Sequence, residues 1–237
     1  MGFYQELSRY YDEIFSTDAE ELRFLKERLA GKKRLLDIGC GTGNKTELFS
    51  APDNTITAID LDPDMIARAR AEHGQAGISY RVLDMSAIDL AFAPASFDGF
   101  LCLGNTLVHL GSSERIGQLL NKTYELLSDG GLGVIQILNY DRILDRQVDS
   151  LPVIETRRTR FYRTCARSGE QLRFITKLFL KETGETLENE IPLYPLRREQ
   201  LCGLLRSAGF REVDFCGSYE GTPLEDDSFV VIAVCGK

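Results

Sequence analysis

The sequence predicts an α/β domain built on a doubly wound, mainly parallel sheet, and three observations predict it. Strand-like and helix-like runs alternate from residue 34 to 138, a glycine loop sits where the first strand gives way to a helix, and one β-rich stretch at 155–194 breaks the rhythm. Alternating βα units need crossover helices, and these cover both faces of a sheet. With 237 residues, 43% of them apolar, the chain can bury one substantial core. The expected layout is a single domain over 1–237, with an N-terminal helical cap at 1–33, a core at 34–138, a β-rich lid insertion at 151–197, and a closing helix and strand pair at 198–237.

Each element has a local reason. Leu22, Leu25 and Leu29 recur at helical spacing behind a Thr17-x-x-Glu20 capping box, and Gly31 follows as a stop. Arg34 to Gly39 reads as a strand, followed by the glycine loop, a short helix from Asn44 and a second strand from Thr55 to Asp60. Asp62 and Pro63 suit the cap and first turn of a helix running to His73. Strands are expected at Ile78 to Leu83, Phe97 to Leu103 and Leu132 to Leu138, with a helix from Glu114 to Leu127 between the last two. Between Glu155 and Tyr194, Ser168-Gly169 and Thr183-Gly184 punctuate three β-rich runs as hairpin turns would. Arg198 to Ala208 reads as a helix stopped by Gly209, with strands at Glu212 to Tyr219 and Phe229 to Cys235.

Composition excludes several classes. A net charge of -8 lacks the positive field behind most nucleic-acid affinity, so a nucleic-acid substrate is disfavoured. The amphipathic N-terminal stretch has neither a signal-peptide core nor a membrane-crossing run, so a cytoplasmic protein without membrane attachment is expected. Cys40, Cys102, Cys165, Cys202, Cys216 and Cys235 are too dispersed for a metal cluster and read as reduced thiols. With only His73 and His109 to supply imidazole, no metal site is expected.

The strongest local signal is Asp37-Ile38-Gly39-Cys40-Gly41-Thr42-Gly43, after a strand and before a helix. Glycines at alternate positions let backbone turn sharply and approach a ligand closely. The spacing is G-x-G-x-G, and Asn44 stands where a dinucleotide fingerprint wants its third glycine, which argues against NAD. Asp37 just before the loop repels a pyrophosphate and suits a cationic ligand. Asp60 ends the second strand, where a carboxylate accepts ribose hydroxyls, and Asp84 ends the third, where one can accept from an adenine amino group.

Taken together, LLDIGCGTG, AIDLDPDMI, VLDMS and LLSDGGLGVI resemble the motif series of class I S-adenosylmethionine-dependent methyltransferases, and SAGFREVDF resembles that family's closing helix and strand. The resemblance implies a Rossmann-like seven-stranded sheet with an antiparallel last strand, and S-adenosylmethionine as cofactor. On matching positions it puts Asp37 and Gly39 against the methionine portion, Asp60 against the ribose, and Asp84 with the Met85 backbone against the adenine. Cys40, Gly41, Gly43, Leu61 and Leu103 complete the implied cofactor-binding set.

Leu103-Gly104-Asn105 with His109, and Asn139-Tyr140-Asp141-Arg142, resemble glycine N-methyltransferase and its sarcosine-methylating relatives. There an arginine directly before the Asn-Tyr-Asp run grips the substrate carboxylate. This chain has Leu138 instead, so glycine itself is not the expected acceptor. Asn105, His109 and Tyr140 are the polar residues expected around a small-molecule methyl acceptor, with Tyr10 or Tyr11 folding over from the N-terminus, and His109 can orient the nucleophile or take its proton. Arg157, Arg158, Arg160, Arg163 and Arg167 form either a cationic lip for an anionic acceptor or a solvated sheet face. Small-molecule N- or O-methylation, a non-catalytic S-adenosylmethionine sensor or partner subunit, and nucleic-acid or protein methylation all remain open on the sequence.

Overall fold

The computed structural model describes residues 2–169 and 171–237; Met1, at the start of the expected cap, and Glu170, inside the expected lid, lie outside the described residues. Two short helices, α1 (Phe3–Ser8) and α2 (Tyr11–Ile14), precede α3 (Ala19–Arg28). Asp18, not Thr17, caps α3. Its side chain accepts the Glu21 N–H at 2.7 Å, while Thr17 Oγ1 is buried without a partner. A carboxylate at that position also places negative charge at the helix N-terminus.

The core follows as β1 (Arg34–Ile38), β2 (Thr55–Asp60), α4 (Pro63–Glu72), β3 (Ile78–Val82), α5 (Ile88–Ala91), β4 (Phe97–Cys102), α6 (Ser113–Leu126) and β5 (Leu127–Leu138). The expected helix from Asn44 is only a 3-10 turn, Thr46–Phe49, because Pro52 follows closely and its ring disfavours helix at the residue before it. Asp62 and Pro63 start α4 as the sequence predicts, with Asp62 accepting the Asp64 and Met65 amides. The chain then runs through α7 (Tyr140–Asp145), β6 (Ser150–Glu155), β7 (Thr159–Ser168), β8 (Gln171–Leu180), β9 (Thr186–Leu193), α8 (Arg198–Ala208), β10 (Glu212–Cys216) and β11 (Val230–Gly236).

Seven strands form the main sheet in the order β10-β11-β5-β4-β1-β2-β3, parallel from β3 to β5. Strand β11, the last in the chain, runs antiparallel between β5 and β10. Alternation along the strands feeds two separate cores, as a sheet covered on both faces requires. Leu36, Phe100, Ile135 and Ala233 pack into one core with α6 and α8, whereas Leu35, Leu101, Val134 and Ile232 pack into the other with Phe24 and Leu25 of α3. Strand order reverses between β1 and β4, and open α/β sheets bind ligands at the carboxyl ends beside such a reversal. Among the described residues no helix is long and apolar enough to cross a membrane.

The insertion is a four-stranded antiparallel sheet, β6-β7-β8-β9, one strand more than the three runs in the sequence. Pro152 interrupts the pattern of β6, and an edge strand tolerates proline because its outer amides need no partner. The predicted turns are present, with Gly169 and Gly184 at φ of 62° and 73°. One face of this sheet points inward. Phe161 and Leu178 join Leu7 and Ile14 of the N-terminal helices and Met65 of α4 in a small cluster, while Leu172 and Leu193 join the main core.

Candidate active site

The glycine loop leaves β1 tied to its neighbour, since the Gly39 and Cys40 amides both donate to the Ile59 carbonyl at 2.8 and 3.0 Å. Gly39, Gly41 and Gly43 all have left-handed φ, 75°, 56° and 79°, which disfavours any side chain. The spacing predicts a ligand against all three, and at two of them packing within the protein adds a reason of its own. A Cβ at Gly39 would lie 2.3 Å from Thr106 Cγ2, and one at Gly43 2.6 Å from the Tyr80 ring. Those two glycines make room for protein packing. Only Gly41 faces the N-terminal cap, where its Cβ position lies 3.1 Å from the ring of Tyr11.

The carboxylates flank this turn. Asp60, at the end of β2, accepts the Gly41 amide and the Asp62 amide, each at 2.9 Å, and burial raises its pKa against those bonds. Asp37 is 4% exposed and among the described residues its side chain receives only the Thr46 hydroxyl, at 2.6 Å. Burial lifts its pKa to about 6, with Asp60 adding to the lift and Lys45 opposing it. It is a buried carboxylate short of positive charge. Asp84 follows β3 two residues beyond Val82, the register partner of Asp60, so both acids lie at one edge of the sheet. Its carboxylate caps the next turn, accepting the Ser86 amide at 2.7 Å, which lowers its pKa. Met85 is half-buried beyond it, and Leu61, beside Asp60, is 68% exposed. Cys40 and Leu103 are buried behind the loop.

On the far side of β1, β4 ends in two left-handed residues, Gly104 at φ 64° and Asn105 at φ 68°. Asparagine is among the few residues with a side chain that tolerate that conformation, a local reason for Asn105 beyond chemistry. Its side chain is fully engaged: Oδ1 accepts the Leu138 amide at 3.0 Å, and the amide pairs with the phenol of Tyr140, itself 1% exposed. Asn105 and Tyr140 therefore lock the ends of β4 and β5 together. His109, on the 3-10 turn Thr106–Leu110, takes no hydrogen bond from the described residues. Its surface is exposed, yet enough protein surrounds the ring that burial lowers its pKa, which keeps the imidazole neutral at pH 7. Of the three residues expected around the acceptor, His109 alone is uncommitted.

The family described as methyltransferase domain matches residues 35–131. The chain is 28% identical over 219 residues to the glycine/sarcosine/dimethylglycine N-methyltransferase of Actinopolyspora halophila, covering 89% of this chain and 37% of that longer protein. It is 24% identical to the glycine/sarcosine N-methyltransferase of Aphanothece halophytica, over 99% of this chain and 86% of that one. A S-adenosylmethionine-dependent methyltransferase from Clostridium acetobutylicum superposes with a TM-score of 0.82 at 17% identity, over 99% of each chain. The chain belongs to the class I S-adenosylmethionine-dependent methyltransferases.

The methyltransferase has a clamp that motif reading missed. Asp12 of α2 accepts the Thr42 hydroxyl of the glycine loop and meets His73 Nε2 at 2.8 Å, while His73 Nδ1 lies 2.9 Å from Glu47 but off the line a hydrogen bond prefers. Burial alone would lower the His73 pKa, but the contacts with Asp12 and Glu47 and their charges outweigh it and the pKa is raised. Asp12, Glu72 and His73 also bring ligand atoms within 4.8 Å of one another, a trio that sequence spacing hid because Asp12 is remote in the chain. With an acid already on the imidazole, the cluster reads as an ion-pair clamp holding the cap. The insertion's arginines also separate: Arg158 pairs with Glu13 and stacks on Tyr10 at 4.6 Å, Arg160 pairs with Glu155, and Arg163 turns inward.

Proposed function

We propose that the methyltransferase acts in the cytoplasm on a nitrogen or oxygen nucleophile of a small molecule other than glycine. Enclosure carries this reading. The cap, α4 and the lid meet in one apolar seam beside the sheet edge, through Leu7, Ile14, Met65, Phe161 and Leu178. A roof of that kind suits a substrate taken in whole, and the net charge of -8 gives a nucleic-acid backbone nothing to follow.

The residues present fit S-adenosylmethionine. Asp60 would accept the ribose hydroxyls with the lone pairs its two amides leave, Asp84 and the Met85 backbone would meet the adenine, and exposed Leu61 would lie against its face. The turn Gly39, Cys40, Gly41 and Gly43 would hold the methionine portion, with Leu103 behind it. Asp37 would gain from the cofactor's positive groups the neutralisation it lacks within the protein. Bound there, S-adenosylmethionine supplies a methyl group already activated by a cationic sulfur.

The protein's remaining work is positioning, water exclusion and handling of one proton. The Asn105–Tyr140 lock holds the strand ends, and His109 accepts the proton of the attacking nitrogen or oxygen. Tyr11 over Gly41 must swing outward to admit the cofactor, so the cap acts as its gate. Leu138, 6% exposed, offers no cation where the resembling family grips glycine.

Calorimetric titration should show S-adenosylmethionine binding and no NADH binding. Amines, phenols and carboxylates should then be screened for release of S-adenosylhomocysteine. Turnover of glycine at the rate of the best acceptor, or of nucleic acid or protein alone, would overturn the reading.

A further inference from the structure

The lid's inward face is banded. Strand register aligns Phe161, Leu178 and Leu187 in one row, Arg163, Thr176 and Asn189 in the next, and Cys165, Phe174 and Ile191 in the third. The first row packs on the N-terminal cap and α4, whereas Phe174 and Ile191 of the third pack on the main core. The polar row therefore spans the interval between two apolar seals, above the sheet edge. At one end the phenol of Tyr4 lies beside Asn189 and also feels Asp60 and Asp62, which places that end near the ribose carboxylate. Toward the other end, Cys165 lies near enough to influence both Arg163 and the Tyr140 phenol, so Arg163 belongs to the acceptor side.

Arg163 is half-buried and has no carboxylate partner among the described residues. One arm, Nη2, donates to the Pro152 carbonyl at 2.9 Å, while Nε is buried with no acceptor among the described residues. Most neighbouring cations are paired: Arg158 with Glu13, Arg160 and Lys181 with Glu155, Arg173 with Glu190, Lys177 with Glu188. Arg157 and Arg167 form no ion pair among the described residues, but both are exposed to water, whereas Arg163 is half-buried. In a chain with 36 acidic side chains, leaving the inward cation alone is a costly arrangement unless another anion completes it. Burial also pulls the Arg163 pKa down, the sign of a guanidinium lacking its counter-charge. The Thr176 hydroxyl makes only a long 3.4 Å bond to the Asn189 carbonyl, so it too can turn to a ligand.

We propose that Arg163, Thr176 and Asn189 form an anion subsite on the lid, which binds a compact oxyanion, carboxylate or phosphate, carried by the methyl acceptor. The guanidinium matches either group with paired N–H donors, and the hydroxyl and amide add a third and fourth contact. Gripping the anion from the lid selects an acceptor shaped differently from glycine, whose carboxylate the resembling family holds from the strand end that Leu138 occupies here. The inference rests on small-molecule transfer as the activity.

The test begins with acetate and inorganic phosphate as probes, titrated into the full chain saturated with S-adenosylhomocysteine. At least one should bind, and Arg163→Gln should weaken it about 10-fold or more while Arg163→Lys recovers part and S-adenosylhomocysteine affinity stays unchanged. Acceptors are then compared as carboxylate, phosphate and neutral amide versions of one amine scaffold. The carboxylate or phosphate version should be preferred, which names the source, and Arg163→Gln should raise its KM about 10-fold with kcat within about 3-fold. Probe binding lost in Arg163→Gln without turnover of any acceptor would uphold the subsite and sink the transfer reading instead. Equal use of the neutral amide, probe binding indifferent to Arg163, or no binding of either probe would overturn the subsite. Should Arg163→Gln fail to fold, Arg163→Lys with the same probes decides.

Discussion

The two halves of the cleft are assembled by opposite means. On the cofactor side, Asp37, Gly41 and Asp60 come from 24 consecutive residues, and parallel register of β1 on β2 sets their spacing. On the proposed acceptor side, His109, Tyr140, Arg163 and Asn189 come from a 3-10 turn, a helix and two lid strands, each brought in by long-range packing. The first half depends on backbone geometry and the second on how a separate sheet docks. Substitutions should therefore fail differently in the two places.

The largest expected effect lies on the acceptor side. His109→Ala should lower kcat about 100-fold or more, in the range of a lost general base, with cofactor affinity unchanged. Because burial lowers the His109 pKa, wild-type kcat should stay flat through neutral pH and fall only on acidification below the usual imidazole range. A kcat equal to wild type would move proton transfer to water. On the cofactor side, Asp60→Ala should weaken S-adenosylmethionine about 100-fold by calorimetry, as two charge-assisted hydrogen bonds predict.

Gly39→Ala probes backbone geometry. With φ at 75° and its new Cβ 2.3 Å from Thr106, it should cost roughly 2–4 kcal/mol in denaturant unfolding, strain and overpacking together. A loss of cofactor affinity with stability intact would show instead that Gly39 faces the ligand.

Asp37→Asn should sharpen the contrast by separating stability from binding. A carboxylate whose folded pKa is raised to about 6 destabilises the fold while ionised, and the fold gains as acidification protonates it. The amide should thus raise the melting temperature of the cofactor-free protein by about 2–4 °C, for roughly 1 kcal/mol, yet weaken the cofactor. A variant that binds as tightly as wild type would remove Asp37 from the site.

The smallest effect is expected at the clamp. His73 has a raised folded pKa, so its contribution to holding Asp12 is complete below the unfolded value and lost as pH rises through the folded one. Hydrogen exchange in α1 and α2 should accelerate over that window in wild type. In His73→Gln it should be fast at both ends. Protection that ignores pH in wild type would relegate the cluster to packing.

Much of the fold was legible because its signals are short-range. Asp62-Pro63 starting α4 and Gly209 ending α8 are rules that act within one turn of chain. The rest was hidden where a neighbour intervened: β6 exists because β7 gives it a partner, which its proline hides, and two loop glycines also make room for Thr106 and Tyr80. The Asn105 and Tyr140 side chains, expected around the acceptor, are spent on each other, a pairing across 35 residues that no local pattern reveals. The five arginines 157, 158, 160, 163 and 167 look alike in sequence. Strand parity tells Arg163 from Arg160, and burial tells it from Arg167, which shares its parity near the exposed end of the strand.

By itself, the sequence determined the βα order, the glycine turn after β1 and the acids at the ends of β2 and β3, because a parallel strand and the turn that follows it are specified by contiguous residues. Only tertiary structure decided that Tyr11 covers Gly41, that Asp12 and His73 clamp the cap, and that one arginine of five is half-buried. Those features depend on where separate segments dock, and docking follows from buried apolar surface shared between distant parts of the chain, which no local pattern encodes.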